Sequence, residues 1–137
     1  MITAENFNTL SVGHLPAHLG IAMLDVSSAG VRAEMTLSDN LRAPNGFLHA
    51  GAVVTLADSC CGCGCMALRP DGATGFTTIE LKSNFLGTAR DGTVECSATP
   101  VHLGRNTQVW DATVTHQGKT IALFRCTQML LYPKPAA

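Results

Sequence analysis

Apolar and polar side chains alternate with a period of two along residues 31–38, VRAEMTLS. This alternation places successive side chains on opposite faces of an extended chain, so the segment is predicted to be a half-buried β-strand. Five further strands are predicted, over residues 19–26, 75–86, 93–103, 106–116 and 120–132. Gly104 and the pair Gln117-Gly118 lie in the short connections between the last three strands, which favours antiparallel hairpins.

Residues 50–68 lack this alternation and form an apolar run without proline, which predicts a buried helix. The turn residues Pro44-Asn45-Gly46 precede the run, and Arg69-Pro70-Asp71-Gly72 ends it. Glycines such as Gly62 and Gly64 lower helix propensity but permit close approach of another backbone. We therefore expect a sheet or a second helix to wrap this helix tightly.

Two predicted strands precede the long apolar helix and four follow it. An antiparallel sheet curled around one central helix is the economical way to bury that helix, so the predicted fold class is α+β. A short helix over residues 3–10, followed by a loop containing His14, Pro16 and His18, is predicted before the first strand. Because the chain of 137 residues shows no internal repeat or domain boundary, we predict one domain spanning residues 1–137.

Composition narrows the class of protein. Charged residues make up 14% of the chain, against about 25% in a typical soluble protein. So few charges on a small domain predict that further surface is covered by oligomerisation. A net charge of −1 and 5% aromatic residues argue against binding to nucleic acid. The start of the chain, MITAENFNTL, lacks the features of a secretory signal, and no uninterrupted apolar run reaches membrane-spanning length. We therefore expect a cytoplasmic protein with reduced cysteines and no membrane partner.

Asp58 is the only formally charged residue between Arg42 and Arg69, and it lies inside the predicted buried helix. An ionised carboxylate in apolar surroundings is costly, and such groups shift their pKa or find partners. A lone acid in this position is therefore a candidate functional residue. The alternative is a buried acid that local hydrogen bonds satisfy.

The cysteines of the predicted helix include one C-x-x-C spacing, Cys60 to Cys63. Zinc needs about four converging ligands, and no second pair of cysteines follows. Free cysteine packs as a small apolar side chain, so we predict that all six cysteines belong to the core and that the protein holds no metal.

Four segments give the chain a resemblance to the hotdog-fold acyl-CoA thioesterases, in particular the PaaI-like and 4-hydroxybenzoyl-CoA thioesterase group. They are NGFLHAG at 45–51, TLAD at 55–58, HLGR at 102–105 and TQVW at 107–110. The resemblance extends from about Leu19 to Leu131. It implies a hotdog fold, hydrolysis of an acyl-CoA to acid and CoA, and homodimers with two composite sites at the interface. Relatives commonly pair two such dimers.

The resemblance also implies roles for residues around the helix. The backbone N–H of Ala50, next to Gly51 at the helix start, would donate to the thioester oxygen, as free amides and the helix dipole favour. Asp58 of the opposite subunit would act as nucleophile or as general base toward water, and both routes remain open. His49 would orient the turn or contact the substrate.

Other predicted contacts are with the substrate. Arg105, with Gly104 and His102, is the candidate site for the CoA phosphates, and Asn84 is a further candidate. Thr78 falls where some relatives place a Ser or Thr near the water that attacks the thioester. Relatives carry Asn or Gln at the position of Ala43, and Asn45 is the candidate replacement. Phe47, Leu48, Met66 and Phe76 are candidates for lining an apolar acyl pocket.

Helix geometry bears on how such a site is assembled. At about 1.5 Å per residue, Asp58 lies roughly 13 Å along the helix axis from His49, so one subunit's His49 cannot share a small site with its own Asp58. Two copies packed antiparallel across a twofold axis can bring one helix start beside the other's acid.

Two other functions compete with the hydrolase. One is a non-catalytic acyl-CoA-binding module of the same fold, and the other is a hotdog hydratase or dehydratase. Hydratases of this fold are expected to show a different pattern, in which the catalytic His lies close to its acid in sequence. That pattern is not found in this sequence. No cofactor is expected, since CoA is part of the substrate. The acyl group and the choice between dimer and tetramer stay open.

Overall fold

The secondary structure of the computed structural model, which describes residues 1–136, consists of three α-helices, one 3-10 helix (Asp39–Leu41) and six strands. The helices are α1 (Ala4–Leu10), α2 (Leu15–His18) and α3 (Ala50–Ala67). The strands are β1 (Ile21–Ser27), β2 (Gly30–Thr36), β3 (Gly75–Phe85), β4 (Thr93–Leu103), β5 (Thr107–His116) and β6 (Lys119–Leu131). All six strands pair antiparallel in one sheet, in the order β1-β2-β4-β5-β6-β3. The predicted α+β class and the hairpins β4–β5 and β5–β6 are confirmed.

Two local predictions were wrong. The predicted loop around His14 contains a helical turn, α2, because Pro16 lies in its first turn, where proline is tolerated and its fixed φ suits a helix. The strand predicted over residues 31–38 ends at Thr36. Beyond it, the N–H of Leu37 donates to the carbonyl of Gly92 at 2.8 Å, so the alternating pattern outlasts the strand.

The sheet curls around α3, and the two share one apolar core. Along β2 the buried side chains are Val31, Ala33 and Met35, which confirms the face predicted from the alternation. The middle of α3 is buried almost all round, including Leu56 and the run from Cys60 to Cys65. Burial of a helix on nearly every side requires a partner that surrounds it, and the curled sheet meets that need.

Two glycines of α3 admit aromatic rings from the sheet. A Cβ on Gly64 would lie 2.6 Å from Cζ3 of Trp110, whose side chain is fully buried. A Cβ on Gly62 would lie 2.8 Å from Cζ of Phe76, which is only half-buried. These contacts confirm the tight wrapping that the glycines predicted.

Replacing Gly64 with alanine is expected to lower the free energy of unfolding by up to about 2 kcal/mol. Overpacking against Trp110 costs about 1–3 kcal/mol, and the better helix propensity of alanine returns about 1 kcal/mol. Gly62→Ala is the matched control, with a smaller loss expected because the Phe76 ring can move. Urea unfolding of both variants measures the difference, and a Gly64→Ala protein more stable than the parent would contradict the packing.

All six cysteines are free and buried, so the prediction that they belong to the core is confirmed. No group of three His, Cys, Asp or Glu side chains within residues 1–136 is arranged to hold a metal ion. By length and composition α3 could cross a membrane, with a mean hydropathy of 1.4. It is, however, the helix that the sheet encloses, and 56% of it is buried inside the protein.

Candidate active site

His49 is the N-cap of α3 and fixes the geometry of the helix start. Its Nδ1 accepts a hydrogen bond of 2.7 Å from the N–H of Gly51. Because Nδ1 is the acceptor, the hydrogen of the neutral ring lies on Nε2. The imidazole therefore holds the first turn in place, which agrees with a role in orienting the turn.

The backbone amides of this first turn are not equivalent. The N–H of Gly51 is occupied by His49, and the N–H groups of Ala52 and Val53 both donate to the carbonyl of His49. The N–H of Ala50 has no hydrogen-bond acceptor within the part of the chain that the structure describes. Ala50 is thus the residue with an amide free for a ligand, at the positive end of the helix dipole.

The turn before His49 is built from local hydrogen bonds. Asn45 is exposed, and its Oδ1 accepts from the N–H of Phe47 at 3.2 Å, the arrangement of an Asx turn. Gly46 has φ of 88° and donates to the carbonyl of Ala43 at 2.8 Å. The structure therefore gives Asn45 a role in shaping the turn.

The loop between β3 and β4 supports this turn from the other side. The N–H of Leu48 donates to the carbonyl of Ala89 at 2.9 Å. The Arg90 guanidinium lies 4.2 Å from the centre of the Phe47 ring, a cation–π contact. Neither Ala89 nor Arg90 was predicted as a site residue. No local signal reveals them, since they meet the turn across about 40 residues of chain.

Asp58 lies half-buried on α3 and contacts edge strand β3. Its Oδ1 accepts a 3.0 Å hydrogen bond from the hydroxyl of Thr78. Burial raises the pKa of Asp58 above its ordinary value, and the Thr78 hydrogen bond partly opposes that change. A bulge in the pairing of β3 with β6 directly follows Thr78, as bulges often do beside functional groups. The structure thus brings two predicted site residues, Asp58 and Thr78, into contact.

One chain by itself does not join Asp58 to the helix start. A cavity of about 240 Å³ lies at the start of α3. Its lining includes Arg42, His49, Gly51 and Thr55 but not Asp58. Thr55 marks the side of this cavity nearest to Asp58 along the helix. The acid and the free amide of the same subunit are therefore separate, as the spacing predicted.

The residues predicted to bind CoA phosphates lie at the far end of α3. Gly104 and Arg105 line a cavity of about 390 Å³ together with Leu68 and Asp71. The Tyr132 hydroxyl donates to the carbonyl of Arg105 and fastens this turn. His102 is exposed beside it. A Cβ on Gly104 would lie 2.8 Å from the carbonyl oxygen of Thr107, so glycine is required there.

Asn84 lies on the opposite face of the sheet from α3. It pairs in register with Leu123 and lines a shallow cavity with Lys82, Asp111 and Arg125. The Arg125 guanidinium and the Asp111 carboxylate form an ion pair in that cavity. The structure therefore does not bring Asn84 together with Asp58 or with the start of α3.

Comparison with known proteins identifies the family. The sequence profile of the Thioesterase superfamily matches residues 45–123, more than half of the chain. The chain belongs to the thioesterase superfamily. This match covers the helix start, Asp58, Thr78 and the turn at Arg105.

Individual members of the superfamily match nearly the whole chain. The 1,4-dihydroxy-2-naphthoyl-CoA hydrolase of Escherichia coli is 30% identical, over 95% of this chain and 96% of that protein. The proofreading thioesterase EntH of Cronobacter sakazakii is 28% identical, over 95% of each. A crystal structure of a variant thioesterase from Pseudomonas aeruginosa superposes with a TM-score of 0.92. It is 28% identical and covers 97% of this chain and 96% of its own.

Membership in the superfamily confirms the predicted hotdog fold and the resemblance on which it rested. It also confirms that the protein is a thioester hydrolase for substrates of the acyl-CoA type. Of the three functions weighed from the sequence, the hydrolase is therefore the one supported.

Proposed function

We propose that two copies of this chain form an acyl-CoA thioesterase with two composite sites, each uniting Asp58 of one subunit with the start of α3 of the other. The observation that carries the proposal is the placement of Asp58. It is half-buried, is held by Thr78 and lies next to edge strand β3, while its own helix start is about 13 Å away along the axis. A second helix start from a twofold partner supplies the missing amide.

The exposed edge of the sheet supports pairing of two copies. Strand β3 is the last strand of the sheet, so one side of its backbone has no strand neighbour within residues 1–136. Ile79, Leu81 and Phe85 on this strand are 43–55% exposed. An edge strand of eleven residues with exposed apolar side chains can pair with another strand, and an antiparallel β3–β3 contact would bring the two α3 helices side by side.

The proposed chemistry uses protein groups and water. The thioester carbonyl oxygen accepts from the free N–H of Ala50, where the helix dipole stabilises the developing negative charge. The Asp58 carboxylate of the other subunit then either attacks the carbonyl carbon or removes a proton from the attacking water. In the nucleophilic route the C–S bond breaks as an anhydride forms between the acyl group and Asp58, and water then cleaves this anhydride to release the acid and restore the carboxylate. In the general-base route water adds to the carbonyl carbon directly and the C–S bond then breaks to give the acid. In both routes CoA leaves as the thiolate and takes up a proton that water has lost.

The raised pKa of Asp58 suits the general-base route, because a base works best when its pKa lies closer to the operating pH. The same burial also makes the carboxylate a better nucleophile, since less solvation must be removed. Both routes require ionised Asp58, and both predict a rate that falls as pH drops through its pKa.

For the substrate, we propose an aryl or medium-chain acyl-CoA. Phe47 stands beside the helix start and Phe76 lies over Gly62, one turn beyond Asp58, so aromatic side chains flank the acid and the amide. The relative from Escherichia coli is a hydrolase of an aryl acyl-CoA. Arg105, on the turn at the far end of α3, is the proposed contact for the CoA phosphates.

The test is a panel of acyl-CoAs, from acetyl to decanoyl and including benzoyl and phenylacetyl, with release of free thiol as the readout. We expect turnover of at least one aryl or medium-chain member, and a particle of at least two subunits by light scattering. Binding of acyl-CoAs without thiol release would contradict the hydrolase chemistry. An active monomer at high dilution would contradict the composite site.

A further inference from the structure

Two glutamines of the sheet lie side by side on its helix-facing side, and both are fully buried. Gln108 of β5 and Gln128 of β6 are register partners, and both have 0% exposure. Gln108 is satisfied: its Nε2 donates to the carbonyl of Leu68 at 3.1 Å, and its Oε1 accepts from Nε1 of Trp110 at 2.8 Å. Neither the Nε2 nor the Oε1 of Gln128 has a hydrogen-bond partner within the described part of the chain.

An unpartnered buried amide is unfavourable for the fold. Nearly all buried polar groups find partners, and an exception calls for an explanation such as a catalytic role. Methionine has nearly the same shape and would fill the position of Gln128 without an unpaired donor or acceptor. Packing alone therefore does not account for a glutamine at this position.

The neighbour of Gln128 on its other side is Thr78. The two residues are register partners across β6 and β3, so their Cβ atoms lie about 5 Å apart on the helix-facing side of the sheet. The hydroxyl hydrogen of Thr78 is committed to Asp58. The Thr78 oxygen then offers only lone pairs, and its register partner Gln128 carries an unpaired, buried amide donor.

We propose that Gln128 is a positioning residue of the active site: a rotation of its unpaired side chain lets the amide donate to Oγ1 of its register partner Thr78, and this bond fixes the hydroxyl in the orientation that donates to Asp58. The inference rests on the role proposed for Asp58. Successive hydrogen bonds polarise one another, so a donor behind Thr78 strengthens the bond in front of it and favours the ionised acid. Rotation of the Gln128 amide also offers Oε1 to Thr78 when Asp58 is protonated and the hydroxyl reverses.

Other titratable groups near Gln128, Thr78 and Asp58 do not compete for the hydrogen bonds among these three side chains. From α3 the thiols of Cys61 and Cys65 face β6, and Cys126 lies on β6 itself. Burial raises the pKa of Cys65 to about 12, and contact with Cys126 together with burial raises the pKa of Cys61 well above its ordinary value. Glu80 of β3 follows the bulge and is exposed.

The test compares Gln128→Met with the matched control Gln108→Met by two readouts. One is the titration of the Asp58 carboxyl carbon by ¹³C NMR, with the resonance assigned as the one missing in Asp58→Asn. The other is the pH dependence of kcat. In Gln128→Met we expect both midpoints to rise by about 0.5 pH unit. Because less Asp58 is then ionised at low pH, kcat on the acid side falls about threefold, while KM stays nearly constant.

The control separates positioning from packing. Gln108→Met removes two hydrogen bonds and is expected to lower the melting temperature while leaving both midpoints in place. Gln128→Glu keeps the shape of glutamine and is expected to raise the midpoints further, because a second carboxylate disfavours ionisation of the first. In a Thr78→Val background, the effect of Gln128→Met is expected to vanish.

Wild-type midpoints in Gln128→Met, or equal displacement by Gln108→Met, would overturn the inference. So would a Gln128→Met effect that persists without the Thr78 hydroxyl. The NMR readout does not need turnover. A displaced NMR midpoint in a protein that releases no thiol would refute the hydrolase role of Asp58 while supporting the link from Gln128 through Thr78.

Discussion

Asp58→Asn is expected to lower kcat at least about 100-fold, the scale associated with loss of a general base or nucleophile. Asparagine keeps the shape and can still accept from the Thr78 hydroxyl, so the hydrogen bond that places residue 58 is preserved. It can neither remove a proton from water nor attack a thioester. The measurement is thiol release under saturating substrate. Equal turnover by both proteins would show that Asp58 is not the reacting acid.

The same variant is expected to be more stable than the parent at neutral pH, which separates lost chemistry from lost folding. Burial raises the pKa of Asp58 in the folded state, so the folded protein binds the proton more tightly than the unfolded chain. The parent's free energy of unfolding therefore falls as pH rises through that pKa, and asparagine escapes this loss. Urea unfolding at about pH 4 and about pH 8 should show the larger advantage at the higher pH.

Ala50→Pro is expected to lower kcat by about 100- to 1000-fold, as removal of one oxyanion donor does in other hydrolases. Proline lacks the N–H that Ala50 leaves free but is favoured at the first position of a helix. The preceding His49 already has φ of −68° and ψ of 135°, which a following proline accepts. The substitution therefore replaces the donor hydrogen with a ring carbon, which also fills the space in front of the nitrogen, with little disturbance of the fold. Ala50→Gly keeps the N–H and is expected to lose far less activity.

Coexpression of Ala50→Pro with Asp58→Asn tests where the two groups meet. In a mixed dimer, one site combines the intact Ala50 of one subunit with the intact Asp58 of the other. Random pairing makes half of the dimers mixed, so about a quarter of the wild-type activity is expected to return. Sites confined to one subunit would give no recovery above the separate variants.

The repeating patterns of the sequence predicted the fold well. The alternation along residues 31–38 identified the buried face of β2, and the proline-free run identified α3 to within one residue. The error at α2 arose because Pro16 ends helices in most positions but is tolerated in the first turn. Such exceptions depend on where a helix begins, and no repeating pattern marks so short a helix.

For the candidate site, the sequence predicted the types of residue now proposed to react: a lone acid in an apolar helix and a free amide at its start. The tertiary structure alone decided how they are held. Thr78 reaches Asp58 across 20 residues, the loop at Ala89 and Arg90 supports the turn, and Gln128 remains unpaired behind Thr78. The reason is that period and composition report which face of an element is buried, whereas a hydrogen bond between elements depends on sheet register. Register is set by the packing of the whole core, and a single bulge, such as the one after Thr78, changes which side chains meet.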